Sequence, residues 1–114
     1  VGIDTMEEQK PVARAVLKPA VCGGIGKAAA IAKRLRTGGI GCVVTTTLEG
    51  PVGTWAALHL AVASGSPELA HGLATAIWFD ADPAPFPKTG SGIVNLPEGP
   101  GLVSQAQAAR RTRQ

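Results

Sequence analysis

The sequence predicts an α/β fold with parallel strands, and three observations carry the prediction. Short apolar, β-branched runs alternate with Ala- and Leu-rich stretches in the order strand, turn, helix, strand, turn, helix, strand, the repeat of a parallel sheet with covering helices. Glycine-bearing turns separate each strand from the helix after it. The clearest strand, Ile40–Thr47, is apolar on both faces until its threonines, as expected where helices cover a parallel sheet. Three strands and two helices do not close a barrel, so the chain forms a small open sheet or belongs to a larger barrel.

The elements follow in order. Val12–Leu17 is an apolar run bounded by Pro11 and Pro19 and reads as a short buried strand. Pro19 disfavours helical backbone at Lys18, so that lysine is expected in extended conformation at the strand's end. Gly23, Gly24 and Gly26 make a turn, and Lys27–Arg36 reads as a helix whose stripe is Ile25, Ala28, Ile31, Ala32 and Leu35. Cations in its last turn complement the helix dipole, and Gly38–Gly39 stop it. After the strand Ile40–Thr47, residues Leu48–Gly53 turn the chain into a second helix, Val52–Ser64, broken by Gly65–Pro67. Gly72–Phe79 is expected as a third strand and Gly92–Leu96 as one more short one, within a stretch rich in Pro and Gly; the last ten residues read as a polar tail.

Composition bounds the function. A chain of 114 residues, 45% hydrophobic, supports one small core. The net charge of +3 comes from helix-end cations (Lys27, Lys33, Arg34, Arg36) and a basic tail (Arg110, Arg111, Arg113), with only four aromatics (Trp55, Trp78, Phe79, Phe86) to stack on bases, so no nucleic-acid partner is expected. The longest apolar run, near Trp55–Ala63, is too short to span a bilayer, and no membrane partner is expected either. Cys22 and Cys42 have no CxxC neighbours and read most simply as reduced intracellular thiols, with a single disulfide as the alternative.

Two stretches offer chemistry. AVLKPAVCGGIGK ends in Gly26-Lys27 between strand and helix, as a phosphate-binding loop does. Yet Val21 stands where that loop's first glycine belongs, and Ala28 replaces its Ser/Thr. The dinucleotide pattern fails as well, since Gly24-Ile25-Gly26 continues to Ala29. The stronger candidate is Lys18, at the carboxyl end of a strand, the end that faces the crevice in parallel α/β folds. Burial there would make a lysine usable in acid/base chemistry. Thr45, Thr46 and Thr47 end the next strand at the same height, with hydroxyls able to bind a carboxylate or carbonyl. Glu49 either faces the same pocket or binds the amides that start the second helix. His59 reads as packing or surface, and His71, Asp80 and Asp82 as turn residues; no His or Cys pair has zinc spacing.

Together these features resemble the C-terminal part of the enolase superfamily in its muconate-lactonizing branch, and within it the o-succinylbenzoate synthases. The resemblance rests on AVLKPAVCGG, a helix, CVVTTTLEGPVG, a helix, HGLATAIWF, and a tail with GIVNLPEGPGL, over roughly residues 12–102. It implies the C-terminal part of a (β/α)8, TIM-type barrel, contributing the sixth, seventh and eighth strands. Residues 1–102 would be a partial barrel domain and 103–114 a polar basic tail. The earlier strands and a capping domain would be missing partners, and the chain alone an inactive fragment. The implied reaction is a dehydration of a small carboxylate in menaquinone or phylloquinone biosynthesis, assisted by Mg2+, in which a base removes the proton beside the carboxylate, the ion stabilises the enediolate, and hydroxide leaves. Lys18 matches the lysine that offers positive charge to the intermediate. Thr45, Thr46 and Thr47 match pocket positions, and Gly72 and Leu73 match the strand end near the substrate's tail. Asp4, in Val1-Gly2-Ile3-Asp4, matches the last of three metal-binding carboxylates, although Thr5 replaces the usual acidic neighbour. Acylamino-acid racemases and dipeptide epimerases of the same superfamily are the alternative, and a small phosphate- or nucleotide-binding module is another. Cytoplasm, or plastid stroma in a photosynthetic eukaryote, is the expected location.

Overall fold

Pro19 sets the first boundary. In the computed structural model, which describes residues 2–4, 12–78, 86–87 and 91–98, strand β1 spans Arg14–Leu17 and Lys18 follows in extended backbone, φ −112° and ψ 108°. Proline suits a first helical position, where its missing N–H costs nothing. The chain therefore enters a one-turn helix at once, α1, Pro19–Cys22. The Lys18 carbonyl accepts from Val21 N and Cys22 N, each at 2.9 Å. Gly23 and Gly24, with φ of 92° and 116°, redirect the chain into α2, Ile25–Thr37. The expected turn thus shrinks to the two residues that need positive φ, and Gly26 lies inside the helix.

Helix α2 ends as its composition predicts, with Arg34 and Arg36 in the last turn. Strand β2, Gly41–Val44, lies parallel to β1 in the register Arg14–Gly41 to Leu17–Val44. Helix α3, Pro51–Ser64, is apolar almost all round, and Thr54–Leu58, Leu60 and Ala61 are buried. Two clusters form the core. Ala15, Leu17, Ala32, Leu35, Ile40 and Cys42 join α2 to the strands. Val44, Trp55, Leu58, Leu60, Ala61 and Leu73 join α3 to β2.

By strand alternation, Ala15, Leu17, Cys42 and Val44 all lie on one face, the one the helices cover. The opposite face carries Arg14, Val16, Gly41 and Val43, and Val16 is 60% exposed. Helices cover the sheet as expected, and among the described residues they cover the first of these two faces.

The expected third strand, Gly72–Phe79, is corrected. It contracts to a single parallel bridge, Gly72 to Thr45, followed by a 3-10 turn at Thr75–Trp78. The reason is visible on the edge of β2 away from β1, where side chains replace strand backbone. Cys42 N donates to Ser66 Oγ at 2.9 Å, and Val44 N donates to His71 Nδ1 at 3.0 Å. Backbone partners complete the edge: Ser66 N to Cys42 O at 2.9 Å, Gly72 N to Val44 O at 3.0 Å, and Thr46 N to Gly72 O at 3.0 Å. With its polar groups satisfied this way, β2 needs no full third strand. Gly92–Leu96 forms no strand either, although Val94 packs against the α3 cluster. Phe79, Asp80, Asp82 and the tail 103–114 lie outside the described residues. Among those described, no helix is long and apolar enough to cross a membrane. Among the described residues the architecture is α/β, with two parallel strands and three α-helices.

Candidate functional site

Extending the β1–β2 register by one residue places Lys18 opposite Thr45, whose N–H donates to Leu17 O at 2.9 Å. Alternation then sorts the threonines. Thr45 shares the open face with Val16 and Lys18, while Thr46 turns to the helix side and is buried. The Thr46 hydroxyl is engaged there, donating to Gly72 O at 3.3 Å and lying 2.9 Å from Thr75 Oγ1. Thr47 donates its hydroxyl to Glu49 Oε1 at 2.6 Å. Among the described residues, Thr45 Oγ1 is buried with no partner. Of the three hydroxyls, it is the one without a partner among the described residues, on the face that Lys18 shares.

Gly72 completes this strand end. A Cβ at Gly72 would stand 2.9 Å from Thr45 Cγ2, so only glycine lets the two chains lie this close. Leu73 points the other way, into the α3 cluster. Glu49 folds against the start of α3: its Cβ would be 2.8 Å from a Cβ at Gly53, and its Oε2 is buried without a partner among the described residues. No side chain caps α3, which begins with Gly50 and Pro51. Lys18 itself is exposed, so the burial that an acid/base lysine calls for is not supplied by the described residues.

The remaining candidates lie apart. Asp4 accepts an ion pair from Arg34 of α2 at 2.6 Å and is 85% exposed. Among the described residues no three His, Cys, Asp or Glu side chains group to hold a metal ion. With Asp4 taken by Arg34 and Glu49 held by Thr47, these residues do not fit a Mg2+ site. The glycine turn is filled by its own lysine, since a Cβ at Gly23 would meet Lys27 Cδ at 3.1 Å and Nζ at 3.5 Å. Both cysteines are free. Cys42 is buried, and burial pushes its thiol pKa up, with Arg36 partly opposing. His59 is half-buried on α3, and its Nε2 has no partner among the described residues.

His71 is the residue that sequence reasoning missed. Its position before Gly72 suited a turn; in the structure its ring accepts from strand backbone. The one available signal was a polar ring directly preceding the apolar segment where a strand should begin.

Comparison with known proteins follows the same lines. The model of the family described as enolase C-terminal domain-like matches residues 5–108. The chain is 36% identical over 87 residues to muconate cycloisomerase 1 of Rhodococcus opacus, a match that takes in 75% of this chain and 23% of that protein. The chain thus spans less than a quarter of the length of this relative. No solved structure matches it significantly.

Proposed function

The chain belongs to the enolase C-terminal domain-like family, and from that premise we propose that it supplies part of a barrel acting on a small carboxylate, of the o-succinylbenzoate synthase kind. The observation that carries the reading is the strand end: Lys18 opposite Thr45, whose hydroxyl is orphaned, on the face the helices leave open.

The chemistry needs such a pair. When a carboxylate loses the proton on its neighbouring carbon, negative charge gathers on the carboxylate oxygens. An ammonium group held nearby stabilises that charge more in the transition state than in the ground state. Lys18 supplies the ammonium, and the Thr45 hydroxyl donates to a carboxylate or carbonyl oxygen. Gly72 lets its chain pack directly against Thr45 and so holds the strand end together. In the dehydration the proton passes to a base, hydroxide departs with its bonding pair, and the electrons left behind form the new double bond. The resemblance assigns the base and the metal ligands to other strands, and the described residues supply neither. A reaction of this kind belongs to menaquinone or phylloquinone synthesis.

A second reading, cycloisomerisation of muconate, is favoured by the 36% identity to a muconate cycloisomerase. One experiment addresses both. Residues 12–102 replace the corresponding segment of an active o-succinylbenzoate synthase, and the chimera is assayed for dehydration and for muconate turnover. The expected result is dehydration that Lys18→Ala lowers about 10²–10³-fold in kcat. Turnover of muconate alone favours the second reading. Unchanged kcat in Lys18→Ala refutes the role given to Lys18.

A further inference from the structure

The Val44 N–H donates to His71 Nδ1 at 3.0 Å, which assigns the ring's own proton to Nε2. This bond is the rung before the Gly72 bridge. Gly72 N donates to Val44 O, and Gly72 O accepts from Thr46 N, both at 3.0 Å. His71 therefore sits where the strand-end segment first meets β2.

The ring is confined on one side and open on the other. A Cβ at Gly65 would fall 2.5 Å from His71 Cε1 and 2.9 Å from Nε2, so the ring lies flush on the end of α3. It also lines a cavity of about 770 Å³, reached from solvent, whose wall includes Arg36, Leu58, Leu69 and Leu73. Arg36, from the last turn of α2, is the charged side chain that shares this wall. Glu68, on the loop that carries His71, is exposed.

An imidazolium has N–H groups on both nitrogens and no acceptor. Protonation would set Nδ1–H against the Val44 N–H and leave the strand amide unpaired. We propose that His71 is an acid-released latch. Neutral, it holds the Gly72–Thr75 segment against β2; protonated, it lets that segment go, and the Gly72 side of the strand end loosens. The latch is a positioning device and stands whatever reaction the strand end serves.

The test is amide hydrogen exchange by NMR on the 114-residue chain, between pH 8 and pH 5, with rates corrected for their intrinsic pH dependence. Val44 and Gly72 are expected to lose protection about tenfold on acidification. Thr45, bonded to Leu17 O on the opposite edge, is expected to keep it. His71→Asn offers Oδ1 in place of Nδ1 and does not titrate, so its Val44 protection should stay level; His59→Gln controls for the other histidine and should behave as the unsubstituted chain. Constant protection at Val44, an equal loss at Thr45, or a loss that persists in His71→Asn overturns the latch. Should His71→Asn not fold, long-range 1H–15N spectra of the unsubstituted chain decide: a ring protonated at Nε2 at pH 8 supports the latch, and one protonated at Nδ1 overturns it.

Discussion

Replacing Gly65 by alanine puts the side-chain substitute for a third strand under direct strain. Gly65 closes α3, donating its N–H to Ala61 O at 3.0 Å. Its φ of −69° and ψ of 164° suit any residue. Backbone strain therefore does not enter, and the change alone would stabilise by about 0.4–1 kcal/mol through the unfolded chain. The contacts act in the opposite direction and are larger. The new Cβ would stand 2.5 Å from His71 Cε1 and 2.6 Å from Ala61 O, against about 3.5–4.0 Å for unstrained carbon contacts. Ala61 O belongs to helix backbone and yields little, so the ring must move, and the Val44 N–H loses its acceptor. Overpacking costs about 1–3 kcal/mol, and a stranded buried N–H about 1–3 kcal/mol. The net loss is about 1–5 kcal/mol, with Tm falling by about 4–8 °C for each kcal/mol in a domain near this size. Circular dichroism melts measure it, beside Gly50→Ala as a control: Gly50 has φ −67° and open space around its Cβ direction. A Gly65→Ala chain melting within about 2 °C of the unsubstituted one refutes the packing argument.

Two further outcomes follow. Gly72→Ala places a Cβ 2.9 Å from Thr45 Cγ2; because Gly72 is exposed, stability should fall by only about 1–2 kcal/mol, while KM for the carboxylate in the chimera rises about tenfold or more, and an unchanged KM removes Gly72 from the site. Burial raises the Cys42 thiol pKa, so the stability it contributes is complete below the ordinary thiol range near about pH 8.5 and is lost as pH climbs above it; denaturant midpoints at neutral and strongly alkaline pH should diverge more for the unsubstituted chain than for Cys42→Ala, and equal divergence refutes it.

Much of the strand–helix order was legible because its signals are local. Pro19 fixes the end of β1, Gly23 and Gly24 the turn into α2, and Gly38–Gly39 its stop. The third strand misled because Leu73, Ile77 and Trp78 form an apolar run, yet Ile77 and Trp78 are each 74% exposed. Periodicity reports side chains; it is blind to whether an edge already has acceptors. Here those acceptors are Ser66 and His71, 24 and 27 positions from the amides they serve. Lys18 was legible as an extended residue at a strand's end, but the split within the threonine triplet was not. All three threonines have the same propensity and the same hydroxyl. Only the pairing of β2 with β1 sends Thr45 to the open face and Thr46 to the helices.

That open face links the fold to the proposed chemistry. Val16 is 60% exposed on it, and two residues along the same strand, about 7 Å away, stands Lys18. An exposed valine of this kind is covered if further strands wrap the face, which then becomes the inside of a barrel and Lys18 a lysine at its mouth. Val16→Asp separates this arrangement from a simple solvated face. In the isolated chain an aspartate at an exposed position should change stability by no more than about 0.5 kcal/mol. In the chimera the same carboxylate would lie inside, where it offsets the Lys18 charge that the intermediate needs and carries the desolvation cost of a buried charge. Dehydration should fall at least as far as in Lys18→Ala, since the carboxylate cancels the Lys18 charge and is itself costly to bury. Full activity in Val16→Asp would mean that this face of β1 stays in solvent and that Lys18 does not meet the substrate.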